Sequence, residues 1–349
     1  MVSLVSDVND WSPAAATRAA SGVHFWIVVE ETTFRVAAAG AKYKWHGAPD
    51  TFRPPPEATA YGFDGFGEFG YVAPPTDERH RERFPAFEST HLEARRAFRA
   101  LLPEGFEYGD PARVLLMHDG QNVFHPDAFF GGWRVDEAVA APGLEDVVVL
   151  AVDNAVDRMD AYTHVGDDIG RGGTIGGRAD DYARLLFEEA LPFFRARYGL
   201  RASRDDLVVG GSSLGGLVSL YLALTHASEM RCVIAMSPTL GWGAFDPAAT
   251  GEDALVRRWT ARGSVAIYFD GGGDGTCSDG DGDGVHEDSD DADNYCTTLQ
   301  LRDHFETLGY THGTDLWHWW EPGAGHNELA WAERMPNAIS SCVSSGWTP

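Results

Sequence analysis

One stretch of the chain constrains the fold most. An apolar, β-branched run at 207–209 passes through Gly-Gly-Ser-Ser-Leu-Gly-Gly at 210–216 and continues at once as an apolar helix. Ser213 has a glycine two residues before it and another two residues after it. A tight strand-to-helix turn of this kind exposes a serine hydroxyl, and the N-terminus of the following helix favours developing negative charge. The pattern predicts Ser213 as a nucleophile, although Gly-x-Ser-x-Gly alone also occurs as an ordinary turn.

Alternation of apolar runs and amphipathic segments predicts the fold class. From about residue 88 onward, short apolar runs typical of fully buried strands alternate with helical segments at 180–198 and 217–225. This pattern predicts an α/β fold whose mostly parallel sheet is covered by helices, with functional groups at the carboxyl ends of the strands. The predicted strands are 113–117, 147–152, 207–209, 233–236, 265–269 and 315–320. Residues 1–87, rich in aromatics, Gly and Pro, predict a small β-rich domain or layer.

Charge and hydropathy exclude several classes of partner. The 349 residues carry 27 Lys and Arg against 53 Asp and Glu, a formal net charge of -26. Such a chain lacks the basic surface that nucleic acid or an anionic membrane requires. No run of about 18 apolar residues predicts a membrane span, and the first residues lack the basic and apolar regions of a signal peptide.

A nucleophilic serine needs a base, and the base needs an orienting carboxylate. His326 lies in a glycine-rich turn after the last predicted strand, just before a helix predicted at 329–334, which is the position expected of the base. The acid should follow the strand at 265–269, where Asp270 and Asp274 are the candidates. Asp274 lies within the turn and is preferred, whereas Asp270 ends the strand and is expected to brace it.

The same chemistry requires an oxyanion hole made of backbone N–H groups. One should come from Leu214, the residue after the nucleophile, and another from the loop after an earlier strand. Residues 117–122 (Met-His-Asp-Gly-Gln-Asn) form such a loop, and the N–H of Gln121 is the candidate donor. Small loops around Trp133 and Trp242 favour an open site for short or aromatic acyl esters.

Several motifs in order resemble one family. They are 117–122, Gly-Gly-Trp at 131–133, 211–216, Ser-Pro at 237–238 and Gly-His-Asn-Glu-Leu-Ala-Trp at 325–331. Together they resemble the esterase family that includes enterochelin, feruloyl and acetylxylan esterases. The resemblance implies an α/β-hydrolase carboxylesterase over 88–349, with Ser213 as nucleophile and His326 as base. It also makes Arg158 a candidate substrate-side residue, with a structural salt bridge as the alternative, and suggests an immunoglobulin-like domain in 1–87.

The segment 277–296 departs from a simple esterase. Cys277 and Cys296 flank an Asp- and Gly-rich loop and are expected to form a disulfide, while Cys232 and Cys342 either form a second one or stay free. The spacing of the oxygen ligands resembles EF-hand, thrombospondin type 3 and dockerin loops, which predicts a structural calcium ion. The predicted ligands are Asp279, Asp281, Asp283, Val285 through its carbonyl, and Asp290. Asp288, Asp291 and Asp293 could complete the shell, and a disordered acidic linker is the alternative.

These observations predict an extracytoplasmic, bacterial serine carboxylesterase. Disulfides require an oxidising compartment, and the substrate would be a siderophore trilactone, a feruloyl or acetyl-sugar ester, or a small synthetic ester. Calcium would be structural, and the chemistry would need no cofactor. The alternatives are an acyltransferase on the same fold and a catalytically silent calcium-dependent binding module.

Overall fold

The computed structural model describes most of the chain beyond residue 58 and short pieces before it. The described residues are 3–6, 14–15, 17–18, 25–26, 40–47, 51–53, 58–71, 74–125, 127–128, 131–170, 172–246, 249–275, 277–280, 282, 284, 286–288 and 293–347. The chain divides into two compact units, one comprising 1–85 and 98–106 and the other 86–97 and 107–349. The division begins close to the expected boundary at residue 88, but 98–106 returns to the first unit.

The described part of the first unit is built from antiparallel strands. Lys42–Gly47 pairs with Ser3–Ser6, Thr51–Arg53 and Gly67–Tyr71, and the last of these forms a hairpin with Ala60–Asp64. A small apolar core contains Ala60, Phe69 and Tyr71. The other strands are Ala14–Ala15, Thr17–Arg18, Phe25–Trp26, His80–Phe87 and Arg96–Leu102, and the last two run along the chain across the division between the units.

A parallel sheet forms the centre of the second unit. Five of its six strands are buried along their whole length, as expected for a sheet covered on both faces, whereas the sixth becomes exposed towards its end. In chain order they are β1 (Arg113–His118), β2 (Val147–Val152), β3 (Leu207–Ser212), β4 (Cys232–Met236), β5 (Ala266–Gly271) and β6 (Leu316–Trp320). Across the sheet the order is β2, β1, β3, β4, β5, β6, with every pairing parallel. The predicted mostly parallel α/β sheet is confirmed.

Because the six strands are parallel, their carboxyl ends all lie at one edge of the sheet, and crossover connections that contain helices join one strand to the next. The helices are α1 (Val135–Ala138), α2 (Arg158–Ala161), α3 (Ala179–Arg184), α4 (Leu191–Tyr198), α5 (Leu214–Thr225), α6 (Leu255–Arg258), α7 (Tyr295–Thr307) and α8 (Glu328–Ser344). A π-helical segment, Leu185–Ala190, joins α3 to α4. Gly199 ends α4 in the left-handed conformation, directly after the helical segment predicted at 180–198.

Two disulfides tie the second unit together. Cys232, at the start of β4, bonds to Cys342 near the end of α8, and Cys277 bonds to Cys296 in the first turn of α7. The expected pair of Cys277 and Cys296 is therefore formed, and of the two alternatives left open for Cys232 and Cys342 the structure shows the disulfide. Cys277 and Cys296 are 19 residues apart. In the chain-entropy model, closing a loop of this length raises the free energy of the unfolded state by about 3 kcal/mol and so stabilises the fold.

Among the described residues, no helix is long and apolar enough to cross a membrane.

Candidate active site

Ser213 lies at a strained turn between β3 and α5. Its φ of 57° and ψ of -125° are unusual for a residue with a side chain. The turn is tight: a Cβ on Gly211 would lie 2.6 Å from the carbonyl carbon of Gly215. Backbone strain of this kind persists only where the surrounding structure enforces it, and it is concentrated at functional sites. The predicted strand–serine–helix turn is present, and it needs the glycines that the sequence supplies.

The loop after β4 holds the backbone of Ser213. The Ser213 N–H donates to the carbonyl of Met236 at 2.9 Å, and the Ser213 carbonyl accepts from the N–H of Thr239 at 3.2 Å. The two hydroxyl oxygens, Ser213 Oγ and Thr239 Oγ1, are 3.3 Å apart. Leu214 is the first residue of α5, where N–H groups have no acceptor within the helix and face negative charge favourably.

A pocket of about 540 Å³ opens above Ser213, entirely within the second unit. It brings together five of the residues singled out from the sequence: Gln121, Trp133, Arg158, Ser213 and His326. The other lining residues are Asp119, Asn122, Asn154, Ser212, Glu328 and Trp331.

Trp242 is not among the residues that line this pocket, so its predicted place there is wrong. Only 2% of the residue is exposed, its Nε1 donates to the carbonyl of Val165 at 2.8 Å, and its ring packs against Phe245. The indole is therefore buried in contacts within the unit, and the sequence could not reveal these contacts.

His326 faces a carboxylate other than the one expected. Its Nδ1 lies 2.6 Å from Oδ1 of Asp293, whereas the side chain of Asp274 is exposed. The reason is the path of the chain after β5. It leaves the sheet, passes through the disulfide-closed loop and returns, so that the N–H of Gly272 donates to the carbonyl of Asp293 at 3.2 Å. The prediction of Asp274 as the partner of His326 is therefore corrected to Asp293.

Asp270, the second candidate acid, is fully buried and serves a different purpose. Its Oδ1 accepts from the N–H of Ser237 at 2.9 Å, its Oδ2 accepts from the hydroxyl of Tyr268 at 3.0 Å, and it pairs with Arg334. Burial raises the pKa of Asp270 to about 6, because the nearby guanidinium of Arg334 only partly offsets the loss of hydration. The expected bracing role fits these contacts.

The loop after β1 is fixed by an ion pair. Asp119 adopts the left-handed conformation with φ 56° and starts the 3₁₀ turn Gly120–Asn122. Arg158 Nε and Nη2 each donate to the Asp119 carboxylate at 2.8 Å, and Asn154 Nδ2 donates to the same group at 2.6 Å. Burial lowers the pKa of Arg158, but pairing with Asp119 outweighs it and raises the pKa overall. Arg158 thus forms the salt bridge and also lines the pocket.

Glu328 places a second carboxyl group in the pocket. Its Oε1 accepts from Asn122 Nδ2 at 2.8 Å, and burial raises its pKa. Neither this residue nor Ser237 or Arg334 was predicted as part of the site, and Asp293 was predicted only as a possible further calcium ligand, whereas its carboxylate contacts His326, Ser237 and Arg334. A signal for Asp293 was present, since the disulfide at Cys296 returns the chain towards β5 just after it.

Most of the predicted calcium loop lies outside the described residues. Asp281, Asp283, Val285 and Asp290 are among those not described, and Asp279 is exposed. Among the described residues, no group of three or more His, Cys, Asp or Glu side chains could hold a metal ion. Calcium binding therefore stays a prediction.

Solved structures with the same fold are numerous. A ferulic acid esterase has a TM-score of 0.54 at 16% identity, covering 76% of this chain and 99% of its own. The siderophore hydrolase EstB from Aspergillus nidulans has a TM-score of 0.54 at 16% identity, covering 78% and 97%. The ferric enterobactin esterase from Salmonella typhimurium has a TM-score of 0.51 at 14% identity, covering 99% and 88%. A search of curated protein sequences finds no match.

The sheet, the serine turn and the pocket at the carboxyl edge define an α/β-hydrolase. The chain belongs to the family described as Putative esterase, whose model matches residues 89–341. It is accordingly a carboxylesterase, and its two disulfides are consistent with an extracellular protein.

Proposed function

We propose that the protein hydrolyses carboxylic esters through an acyl-enzyme formed on Ser213, with His326 as base and Asp293 as the acid that orients it. The observation that carries this proposal is the 2.6 Å contact between His326 Nδ1 and Asp293 Oδ1 in the same pocket as a serine on a strained turn. A hydrogen bond at Nδ1 leaves the other imidazole nitrogen, Nε2, to accept the serine proton.

Each step of the reaction then has a group to perform it. Ser213 Oγ attacks the ester carbonyl while His326 takes its proton, and His326 returns that proton to the leaving alcohol. The N–H groups of Leu214 and Gln121 would stabilise the oxyanion, since Leu214 begins α5 directly after Ser213 and Gln121 lies in a 3₁₀ turn and lines the pocket. A water molecule, activated by His326, then attacks the acyl-enzyme, which releases the carboxylic acid product and regenerates Ser213.

The pocket favours aromatic or polyhydroxylated esters. Trp133 and Trp331 supply apolar surface. Hydrogen-bond donors and acceptors come from Arg158, Asn154 and Glu328. The likenesses to a ferulic acid esterase and to siderophore hydrolases support a feruloyl or siderophore-type ester as substrate. A sugar acceptor in place of water would make the same acyl-enzyme an acyltransferase.

Covalent labelling tests the proposal directly. A fluorophosphonate probe should label the wild-type protein on Ser213, and peptide mass spectrometry should locate the adduct there. Ser212→Ala is a matched control, because Ser212 is the neighbouring serine and lines the same pocket. Labelling that persists in Ser213→Ala, or that moves to Ser212, would show that the nucleophile has been assigned wrongly.

The substrate class requires a hydrolysis panel. We expect p-nitrophenyl acetate, methyl ferulate and a catecholate trilactone to be hydrolysed, with product ratios measured by chromatography. Adding a sugar in molar excess distinguishes transfer from hydrolysis, because only an acyltransferase would yield the acylated sugar as main product.

A further inference from the structure

The Ser237 hydroxyl uses all of its hydrogen-bonding positions. Its Oγ donates to Asp293 Oδ2 at 2.5 Å, and it accepts from Trp331 Nε1 at 3.0 Å and from Arg334 Nη2 at 2.8 Å. A hydroxyl has one donor and two acceptor positions. Because Trp331 and Arg334 fill both acceptor positions, the single proton of this hydroxyl can point only at Asp293.

Arg334 lies between two buried carboxylates. Its Nη2 donates to Asp293 Oδ2 at 3.0 Å, and its Nε lies 3.1 Å from Asp270 Oδ2. The side chains of Arg334, Asp270 and Asp293 are all at most 1% exposed. Without Asp270, the whole positive charge of Arg334 would act on Asp293 and weaken its hold on a protonated His326.

One face of α8 links His326 to the cluster formed by Ser237, Asp270, Asp293 and Arg334. Glu328, Trp331 and Arg334 follow one another at intervals of three residues, so they share a face of the helix. The Trp331 ring packs edge-on against the imidazole of His326, with the two ring centroids 5.0 Å apart. The element that follows the base therefore also anchors the acid.

We propose that Ser237, Arg334 and Asp270 are positioning residues for the triad acid. Ser237 and Arg334 fix the Asp293 carboxylate against His326, and Asp270 balances Arg334 so that Asp293 keeps its negative charge for the imidazolium formed during catalysis. This inference rests on the proposed function of Ser213, His326 and Asp293.

The charge count gives the physical reason. Above the Asp270 pKa of about 6, Asp270, Arg334 and Asp293 together carry one net negative charge, which becomes zero when His326 accepts a proton. Tyr268, bonded to Asp270, is held neutral because burial raises its pKa. Within the described part of the chain, the other charged groups that act on the cluster are Glu328, near His326, and Glu321, near Tyr268.

Asp270→Asn tests the balancing role, because it keeps the side-chain size and removes one charge. We expect the acid limb of the pH profile of kcat/KM for p-nitrophenyl acetate to move about one pH unit lower, as expected for losing a buried charge nearby. The ring titration of His326, followed by NMR on histidine-labelled protein, should move the same way. KM should change little, because the cluster does not line the pocket.

Ser237→Ala tests the orienting role with a milder change. Removing one hydrogen bond to a charged group should lower kcat about tenfold with KM nearly constant, and should weaken the low-field NMR signal of the His326 Nδ1 proton. This variant decides the question if Asp270→Asn fails to fold.

Asp315→Asn is the matched control. It also removes the carboxylate of an aspartate–arginine pair, but this pair lies before the start of β6 and its arginine, Arg262, is exposed. It should leave the pH profile unchanged. A folded Asp270→Asn with an unshifted profile and an unshifted His326 titration would overturn the proposal, as would Ser237→Ala with unaltered kcat and NMR signal. If Ser213→Ala instead kept full activity, the proposed function would fail, while the NMR titration would still report on this cluster.

Discussion

His326 Nδ1 lies 2.6 Å from Asp293 Oδ1, although 33 residues separate the two in the chain. Asp293 is one of the few carboxylates that are almost fully buried, and a buried carboxylate against an imidazole fixes both its tautomer and its orientation. Of the described carboxylates after β5, Asp293 is the one within hydrogen-bonding distance of His326.

We therefore expect Asp293→Asn to lower kcat about 10³- to 10⁴-fold, since an amide favours the wrong imidazole tautomer. Asp274→Asn is the control and should retain nearly full activity, because its side chain is exposed. Steady-state kinetics with p-nitrophenyl acetate distinguishes the two. A crippled Asp274→Asn beside an active Asp293→Asn would restore the original assignment.

Ser213→Ala should reduce kcat by about 10⁴-fold or more, because no other group can form the acyl-enzyme. The melting temperature should stay close to that of the parent, since the Ser213 hydroxyl makes only the contact with Thr239 among the described side chains. Activity is measured by ester hydrolysis and folding by circular dichroism. Turnover at the parent rate in a folded variant would exclude the serine mechanism.

Gly211→Ala should disrupt the serine turn. The added Cβ would lie 2.6 Å from backbone atoms of Gly215, and forcing one extra methyl group into such a packed site costs about 1–3 kcal/mol. We expect a lower melting temperature and a large loss of kcat. Gly65→Ala is the control, because a Cβ there meets nothing within 4 Å. Equal activity in both variants would show that the turn tolerates side chains.

Glu328→Gln should change which substrates are preferred. The carboxyl group faces the pocket, so its negative charge should favour esters with an ammonium group over esters with a carboxylate. Neutralising it should shift the ratio of the two kcat/KM values about tenfold towards the carboxylate ester. Since burial raises the pKa of Glu328, the parent should lose this preference as the pH falls and the carboxyl group becomes protonated.

Glu333→Gln serves as the control for this variant, because Glu333 is exposed on the same helix and outside this pocket. An unchanged ratio in Glu328→Gln would show that its charge has no part in selectivity.

Calcium removal tests the predicted metal loop. Asp293 follows that loop directly, and Cys296 closes it, so an ordered loop should steady the triad acid. A ligand at a hundredfold excess over its Kd stabilises the folded state by about 2.7 kcal/mol. EGTA should lower both the melting temperature and kcat, and calcium should restore them better than magnesium does. Asp281→Asn with Asp283→Asn should have the effect of chelation.

Metal analysis of the purified protein completes that test. If it finds no bound calcium, and if exhaustive chelation changes neither melting nor activity, residues 279–290 are only an acidic linker.

The sequence by itself determined the parallel sheet and the serine turn, and it indicated His326 as the candidate base. Fully apolar strands, the glycines around Ser213 and the glycine-rich turn at His326 are local patterns whose physical requirements are met within a few residues. The pairing of Cys277 with Cys296 also followed from their placement around the loop, whereas the pairing of Cys232 with Cys342 was left open by the sequence.

Only the tertiary structure decided which carboxylate meets His326 and which side chains form the pocket. Asp270, Asp274 and Asp293 are equivalent by residue type, and what distinguishes them is the path of the chain after β5, which carries Asp274 to the surface and returns Asp293 to the sheet. Likewise, Trp242 was placed in the pocket from its neighbours in sequence, whereas its indole is buried against Val165 and Phe245. Such contacts join residues far apart in the chain, so local patterns do not specify them.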